Sequence, residues 1–136
     1  MKKILLLFVL TLVSCVTKVK KEELQLLNGY WEIEEVKTKD GSKKAYKINE
    51  SLDYFFVNDS LKGFRKKVVP QYDGKLLTND VEEKLEIQEK ESHFYIHYKT
   101  DFSSWEEEIL ELSNTSLVVK NTGGIEYHYK RKQKDE

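Results

Sequence analysis

The 136 residues carry 23 basic and 24 acidic side chains, a formal net charge of −1, with 35% of the chain charged. Such a balance, without a long block of one sign, offers no electrostatic footprint for nucleic acid, and an aromatic fraction of 12% argues against disorder outside the ends. The length fits one domain with its own hydrophobic core and makes a second unexpected.

The chain opens on Lys2-Lys3, an apolar run from Ile4 to Val13, and the small residue Ser14 directly before Cys15. This charged, apolar, small-residue order predicts a secretory signal peptide over residues 1–14. A helix needs about 20 apolar residues to cross a bilayer, and the polar stretch Thr17 to Glu23 stops the run short of that. Cys15 is the only cysteine, so no disulfide within the chain is possible and stability has to come from packing. The quartet Leu12-Val13-Ser14-Cys15 resembles a bacterial lipobox, in which the cysteine receives lipid chains and becomes the first residue of the mature protein. The resemblance implies a membrane anchor through acylated Cys15, in the cell envelope of a bacterium and at its outer membrane. Each buried methylene of an acyl chain contributes about 0.8 kcal/mol, and more than one chain makes the anchorage stable. Residues 15–27 then read as the lipidated N-terminus and a tether whose end can form a short helical turn. Its Lys18, Lys20 and Lys21 lie close enough to the bilayer to meet anionic headgroups, or simply solvate the linker.

From Gly29 onward, runs rich in Tyr, Phe, Ile, Val and Trp alternate with turn chemistry at Asp40-Gly41, Asn58-Asp59-Ser60, Asp73-Gly74, Asn79-Asp80, Ser113-Asn114 and Gly123-Gly124. The spacing predicts strands over Tyr30–Lys37, Asp53–Val57, Gly63–Val69, Lys75–Thr78, Glu83–Lys90, His93–Lys99, Trp105–Leu112, Ser116–Lys120 and Ile125–Arg131. Phe94, Ile96 and Tyr98 oppose His93, Tyr95, His97 and Lys99; Ile125, Tyr127 and Tyr129 oppose Glu126, His128 and Lys130; Leu85 and Ile87 oppose Lys84, Glu86 and Gln88. That is the alternation of a half-buried antiparallel sheet. Ser103 to Glu107 and Asp80 to Glu83 also offer capping boxes, but both runs are short for a helix and strands are preferred. Ile109-Leu110 breaks the alternation and marks a bulge. Strands that follow one another this closely lose their exposed edges by closing on themselves. The expected fold is all-β, an antiparallel up-and-down β-barrel of eight to nine strands over residues 28–132, with a polar tail at 133–136.

Little in the chain suggests catalysis. His93 and His97 share a strand face with Tyr95, but residues four apart on a strand lie about 13–14 Å apart, too far for one metal ion. Runs such as Glu82-Glu83 and Glu106 to Glu108 read as solvated faces, with Glu107 the one carboxylate to place inside a cavity. The cluster Phe64-Arg65-Lys66-Lys67 reads as a basic outer surface that protects a strand edge or meets an anionic headgroup. There is no nucleotide loop, nucleophile elbow, catalytic cysteine or zinc motif, so no enzyme, no cofactor and no metal are expected.

Gly29-Tyr30-Trp31 at the head of the first strand is similar to the G-x-W of lipocalins, and the stretch from Leu27 to Lys132 resembles the small lipocalin-like lipoproteins of the Bacteroidetes group. The phrases Trp105-Glu106-Glu107-Glu108-Ile109, Leu117 to Lys120 and Tyr127 to Lys130 look like the C-terminal half of that family; no second or third lipocalin signature accompanies them. The resemblance implies that Trp31 packs at the closed end of the barrel against an arginine from the last strand, a place that Arg131 fills. An indole and a guanidinium stack as a cation–π pair worth about 0.5–2 kcal/mol.

Two function classes follow. One is a carrier for a small apolar or amphipathic ligand, its cavity lined by Phe56, Phe64, Phe94, Ile96, Tyr98, Ile125, Tyr127 and Tyr129 with Glu107 as a polar group. The other is an interaction module with a filled core, acting through its surface as adaptor, inhibitor or adhesin. Eight strands sit near the limit at which side chains either fill a barrel or leave room for one ligand.

Overall fold

The computed structural model describes residues 18–46, 50–78 and 81–133. The segment expected to be a signal peptide, Cys15, the expected turn at Asn79-Asp80 and most of the expected polar tail lie outside the described residues.

Among the described residues, ten strands follow a seven-residue 3-10 helix, Lys21–Leu27. They are β1 (Gly29–Lys37), β2 (Lys43–Ala45), β3 (Leu52–Val57), β4 (Lys62–Pro70), β5 (Leu76–Thr78), β6 (Glu83–Lys90), β7 (His93–Lys99), β8 (Ser104–Leu112), β9 (Ser116–Asn121) and β10 (Glu126–Arg131). Eight of them pair antiparallel in the order β1, β3, β4, β6, β7, β8, β9, β10, and β10 returns to β1 to close the barrel. The short β2 and β5 hang outside the ring, on β1 and β4. The barrel is the expected one, and the bulge expected at Ile109-Leu110 is present as a register shift between Ile109 and Glu111.

Local chemistry sets the turns. Asn58 Oδ1 accepts the backbone N–H groups of Ser60 and Lys62, both at 3.0 Å, and Asn121 Oδ1 accepts that of Ile125 at 3.0 Å. Where the Asn58–Leu61 turn hands over to β4, a Cβ on Gly63 would stand 1.7 Å from the Phe56 carbonyl oxygen, so only glycine admits this approach. The β6–β7 hairpin turns on Glu91 and Ser92 at φ of 53° and 66°, a left-handed pair made without glycine or asparagine.

The 3-10 helix plugs one end of the barrel. Leu24 and Leu27 are fully buried, and they join Trp31, Val57, Ile87, Phe94, Leu112 and Leu117 in one apolar cluster. The segment expected to be the end of a tether is therefore part of the core. Its polar start masked this: Glu23 accepts the Lys20 backbone N–H at 3.1 Å and begins the helix, while Val19 joins the two leucines in the core and Leu26 packs against it.

Candidate functional site

Cross-strand register fixes which side chains enter the barrel. In β3, Asp53, Phe55 and Val57 pair with Lys67, Arg65 and Gly63 of β4 and share the inner face; Tyr54, Phe56, Phe64 and Lys66 are outside. From β6 come Glu83, Leu85 and Ile87, from β7 Phe94, Ile96 and Tyr98, from β8 Trp105, Glu107 and Ile109. Val119 and Asn121 of β9 and Tyr127 and Tyr129 of β10 complete the wall.

These inner positions fall into two halves. The half next to the helix is apolar and filled. The half next to the opposite mouth holds Asp53, Arg65, Lys67, Glu83 and Glu107 among Tyr98, Trp105, Tyr127 and Tyr129. Arg65 donates to both oxygens of Glu83, Nε at 3.0 Å and Nη2 at 2.7 Å, and its Nη1 lies 3.6 Å from Glu107 Oε1. Its guanidinium also covers the Tyr98 ring, 4.3 Å from the centroid, and Tyr98 stacks on Trp105 with centroids 5.3 Å apart. Lys67 Nζ donates to Asp53 Oδ1 at 3.0 Å.

Burial and charge act on these groups together. Burial pushes the Glu107 carboxyl above its ordinary value, only partly offset by Arg65. It also drives the Tyr98 and Tyr129 hydroxyls well up, so both remain protonated donors. For Arg65 burial acts downward, but Tyr98, Glu83 and Asp53 hold the guanidinium above its usual range. Glu107 Oε1 and the Tyr98 hydroxyl are both buried without a hydrogen bond of ordinary geometry, although the hydroxyl faces the carboxyl and acts with Arg65 to lower its pKa.

Two cavities occupy this polar half, of about 270 Å³ and 240 Å³, and they share Asp53, Lys67, Tyr127 and Tyr129 as walls. Arg65, Trp105, Glu107 and Asn121 line the first; Trp31, Ile33 and Tyr46 border the second. A wider, open hollow of about 950 Å³ runs past Phe56, Phe64, Lys84 and His97, all outward positions, and its lining also includes Tyr98 and Trp105.

Of the residues expected to line a cavity, Glu107, Tyr127 and Tyr129 border the inner pair, and Tyr98 stands beside them. Phe94 and Ile96 face inward but belong to the filled apolar half. Phe56 and Phe64 need correction. They form an outer aromatic row with Tyr54 and Tyr30, with centroid separations of 5.5, 6.1 and 4.7 Å, and Phe56 is 41% exposed. Two adjacent phenylalanines, Phe55-Phe56, leave the phase of β3 undecided, and the register gives the inner place to Phe55. Ile125 is also corrected: it lies in the β9–β10 connection rather than on a strand, half-buried. The Phe64 to Lys67 cluster is not a single outer surface, since Arg65 and Lys67 turn inward.

Asp53, Arg65, Lys67 and Glu83 escaped the sequence reading. One signal for two of them was available: counting outward from the Asn58–Leu61 turn pairs Asp53 with Lys67, opposite charges directly across a hairpin. Trp31 and Arg131 meet at the closed end, the guanidinium 4.2 Å from the indole centroid. Trp31 Nε1 donates to the Leu27 carbonyl at 2.8 Å, and Arg131 donates to the carbonyls of Leu26, Asn28 and Asn114, the last two at 2.8 and 2.6 Å. Among the described residues no group of three or more His, Cys, Asp or Glu is placed to hold a metal ion.

No family model matches the chain, and no curated protein does. Two solved structures are similar to it. A lipocalin-like protein from Bacteroides uniformis ATCC 8492 superposes with a TM-score of 0.51 at 16% identity, over 79% of this chain and 99% of that one. An uncharacterized protein from Bacteroides eggerthii DSM 20697 does so with a TM-score of 0.50 at 15% identity, over 78% and 99%. At such identities the likeness speaks to architecture alone, and with the closed eight-strand ring it establishes a lipocalin-like barrel fold.

Proposed function

We propose that this protein is a lipid-anchored barrel of the bacterial envelope that takes a small amphipathic ligand into its open end, binding rather than transforming it. One observation carries the reading: the core is filled at the helix end, while the mouth half keeps two adjoining cavities walled by Tyr127 and Tyr129 and supplied with ionic side chains. Cavities that set aromatic rings beside placed polar and ionic groups are where small ligands with a polar head bind. The N-terminal signal and lipobox-like quartet supply the tether. A barrel held within a linker's length of a bilayer meets amphipathic molecules at high effective concentration, so modest affinity suffices.

The test is a titration of the purified chain with amphipathic fluorescent probes, wild type against Tyr127→Trp and Phe56→Ser. Filling the cavity at Tyr127 is expected to weaken binding, and the outward Phe56 change to leave it intact. In parallel, Cys15→Ser is expected to leave an unlipidated precursor; wild-type protein recovered from membranes with Met1 still in place would refute the anchor. The outer row Tyr30, Tyr54, Phe64 and Phe56 favours a second reading, an interaction module. Loss of a partner through Phe56→Ser, with no probe bound by the wild type, would select it.

A further inference from the structure

We infer that the ligand's polar head is a cation with hydrogen bonds to donate, a protonated amine, received by Glu107 and Tyr98 at the inner end of the mouth cavity. This rests on the binding reading above.

Among the described residues, the inner strand positions of the polar half carry three carboxylates, Asp53, Glu83 and Glu107, and two cations, Arg65 and, at the exposed rim, Lys67, while Glu50 borders the neighbouring cavity. Each cation already has its carboxylate. Arg65 is engaged by both oxygens of Glu83, and Lys67 by Asp53 at 3.0 Å. Glu107 is the third acid. It is 6% exposed, it lines the 270 Å³ cavity, and its Oε1 accepts no hydrogen bond of ordinary geometry, with Arg65 Nη1 at 3.6 Å and the Tyr98 hydroxyl as its neighbours. Tyr98, 1% exposed, stands beside that cavity, and its hydroxyl faces Glu107 without completing a hydrogen bond of ordinary geometry.

A buried polar atom left without a partner is costly, so a ligand that supplies one gains what the empty site lacks. An anionic head brings a fourth negative charge to two cations that are already engaged. An alcohol supplies a donor but no charge. An ammonium group supplies both, donating to Glu107 and to the Tyr98 oxygen; the Tyr98 ring is already covered by Arg65, and the Trp105 ring in the cavity wall is the one that can attract a cation. The alkyl remainder then lies along Tyr127 and Tyr129 toward the mouth.

Octylammonium, 1-octanol and octanoate share one chain and differ in the head. Calorimetric titration of the purified chain at pH 7 is expected to rank them in that order of affinity. Glu107→Gln should cost octylammonium roughly 10- to 100-fold, the usual worth of a hydrogen bond to a charged group, and cost octanol several-fold less. Carbon-13 NMR of the wild-type Glu107 carboxyl, which faces Arg65, Asp53, Glu83, Tyr98 and Tyr129, gives a readout that needs no variant: saturating octylammonium should move its titration to lower pH. Octanoate binding as tightly as octylammonium, or an unmoved Glu107 titration with octylammonium bound, overturns the inference and leaves the binding cavity standing. If none of the three binds the wild type, the carrier reading falls and this inference with it.

Discussion

Arg131 lies with its guanidinium carbon 4.2 Å from the centroid of the Trp31 ring, and the two residues are direct cross-strand partners where the first and last strands of the barrel meet. The same guanidinium binds carbonyls of Leu26, Asn28 and Asn114, so one side chain ties the plug helix and the β8–β9 turn to the seam. Arg131→Ala removes the stacking and leaves carbonyls without a donor. It is expected to lower the unfolding free energy by about 2–4 kcal/mol in urea titration, with Arg131→Lys recovering little because a single ammonium cannot span the same carbonyls. Full stability in the alanine variant would show that the seam does not depend on this contact.

Gly29 leaves the space in which Arg131 sits. A Cβ there would stand 2.7 Å from Arg131 Nη1, and the backbone at φ +126° is strained for any other residue. Gly29→Ala is expected to cost more than about 1 kcal/mol, with a loss that shrinks in an Arg131→Ala background because the clash disappears while the backbone strain persists. Equal costs in both backgrounds would mean that Arg131 does not need that space.

The β6–β7 hairpin offers a gain. Glu91 and Ser92 both adopt left-handed backbone, at φ 53° and 66°, which side chains other than Asn, Asp and Gly resist. Replacing the pair by Asn-Gly is expected to raise the thermal midpoint, by about 1 kcal/mol of added stability. A lower midpoint would mean that Glu91 or Ser92 makes a contact the barrel needs.

Stability should also depend on pH through Glu107. Burial holds its carboxyl above the ordinary value of 4.5, so the folded chain keeps this proton at a pH where the unfolded chain has lost it. The stability tied to that proton is fully present below the unfolded value and is lost as the pH rises through the folded one. Glu107→Gln is isosteric and cannot ionise. Compared by urea unfolding from pH 4 to pH 8, its advantage over wild type should grow as the pH rises. A difference that stays constant across that range would show the carboxyl to be unperturbed.

The barrel was legible in the sequence because its causes are local. Alternating apolar residues as in Phe94, Ile96 and Tyr98, and turn residues at short intervals, specify strands and hairpins with no knowledge of what they pack against, and many hairpins in succession leave closure as the way to remove edges. Trp31 and Arg131 were legible by another route, the resemblance of Gly29-Tyr30-Trp31 to the lipocalin G-x-W, which implied an arginine from the last strand against the indole. What the alternation could not decide was its phase in strands that carry aromatic or charged residues at every position. Phe55-Phe56 and Arg65-Lys66-Lys67 are equally amphipathic in either phase, and it is the register against β1 and β6 that sends Phe56 and Phe64 outward and brings Arg65 and Lys67 in. The burial of Leu24 and Leu27, and the meeting of Asp53, Arg65, Glu83 and Glu107 in one polar chamber, were likewise decided only by the tertiary structure. Those residues are brought together by curvature and closure of the sheet, long-range geometry to which no short stretch of sequence responds.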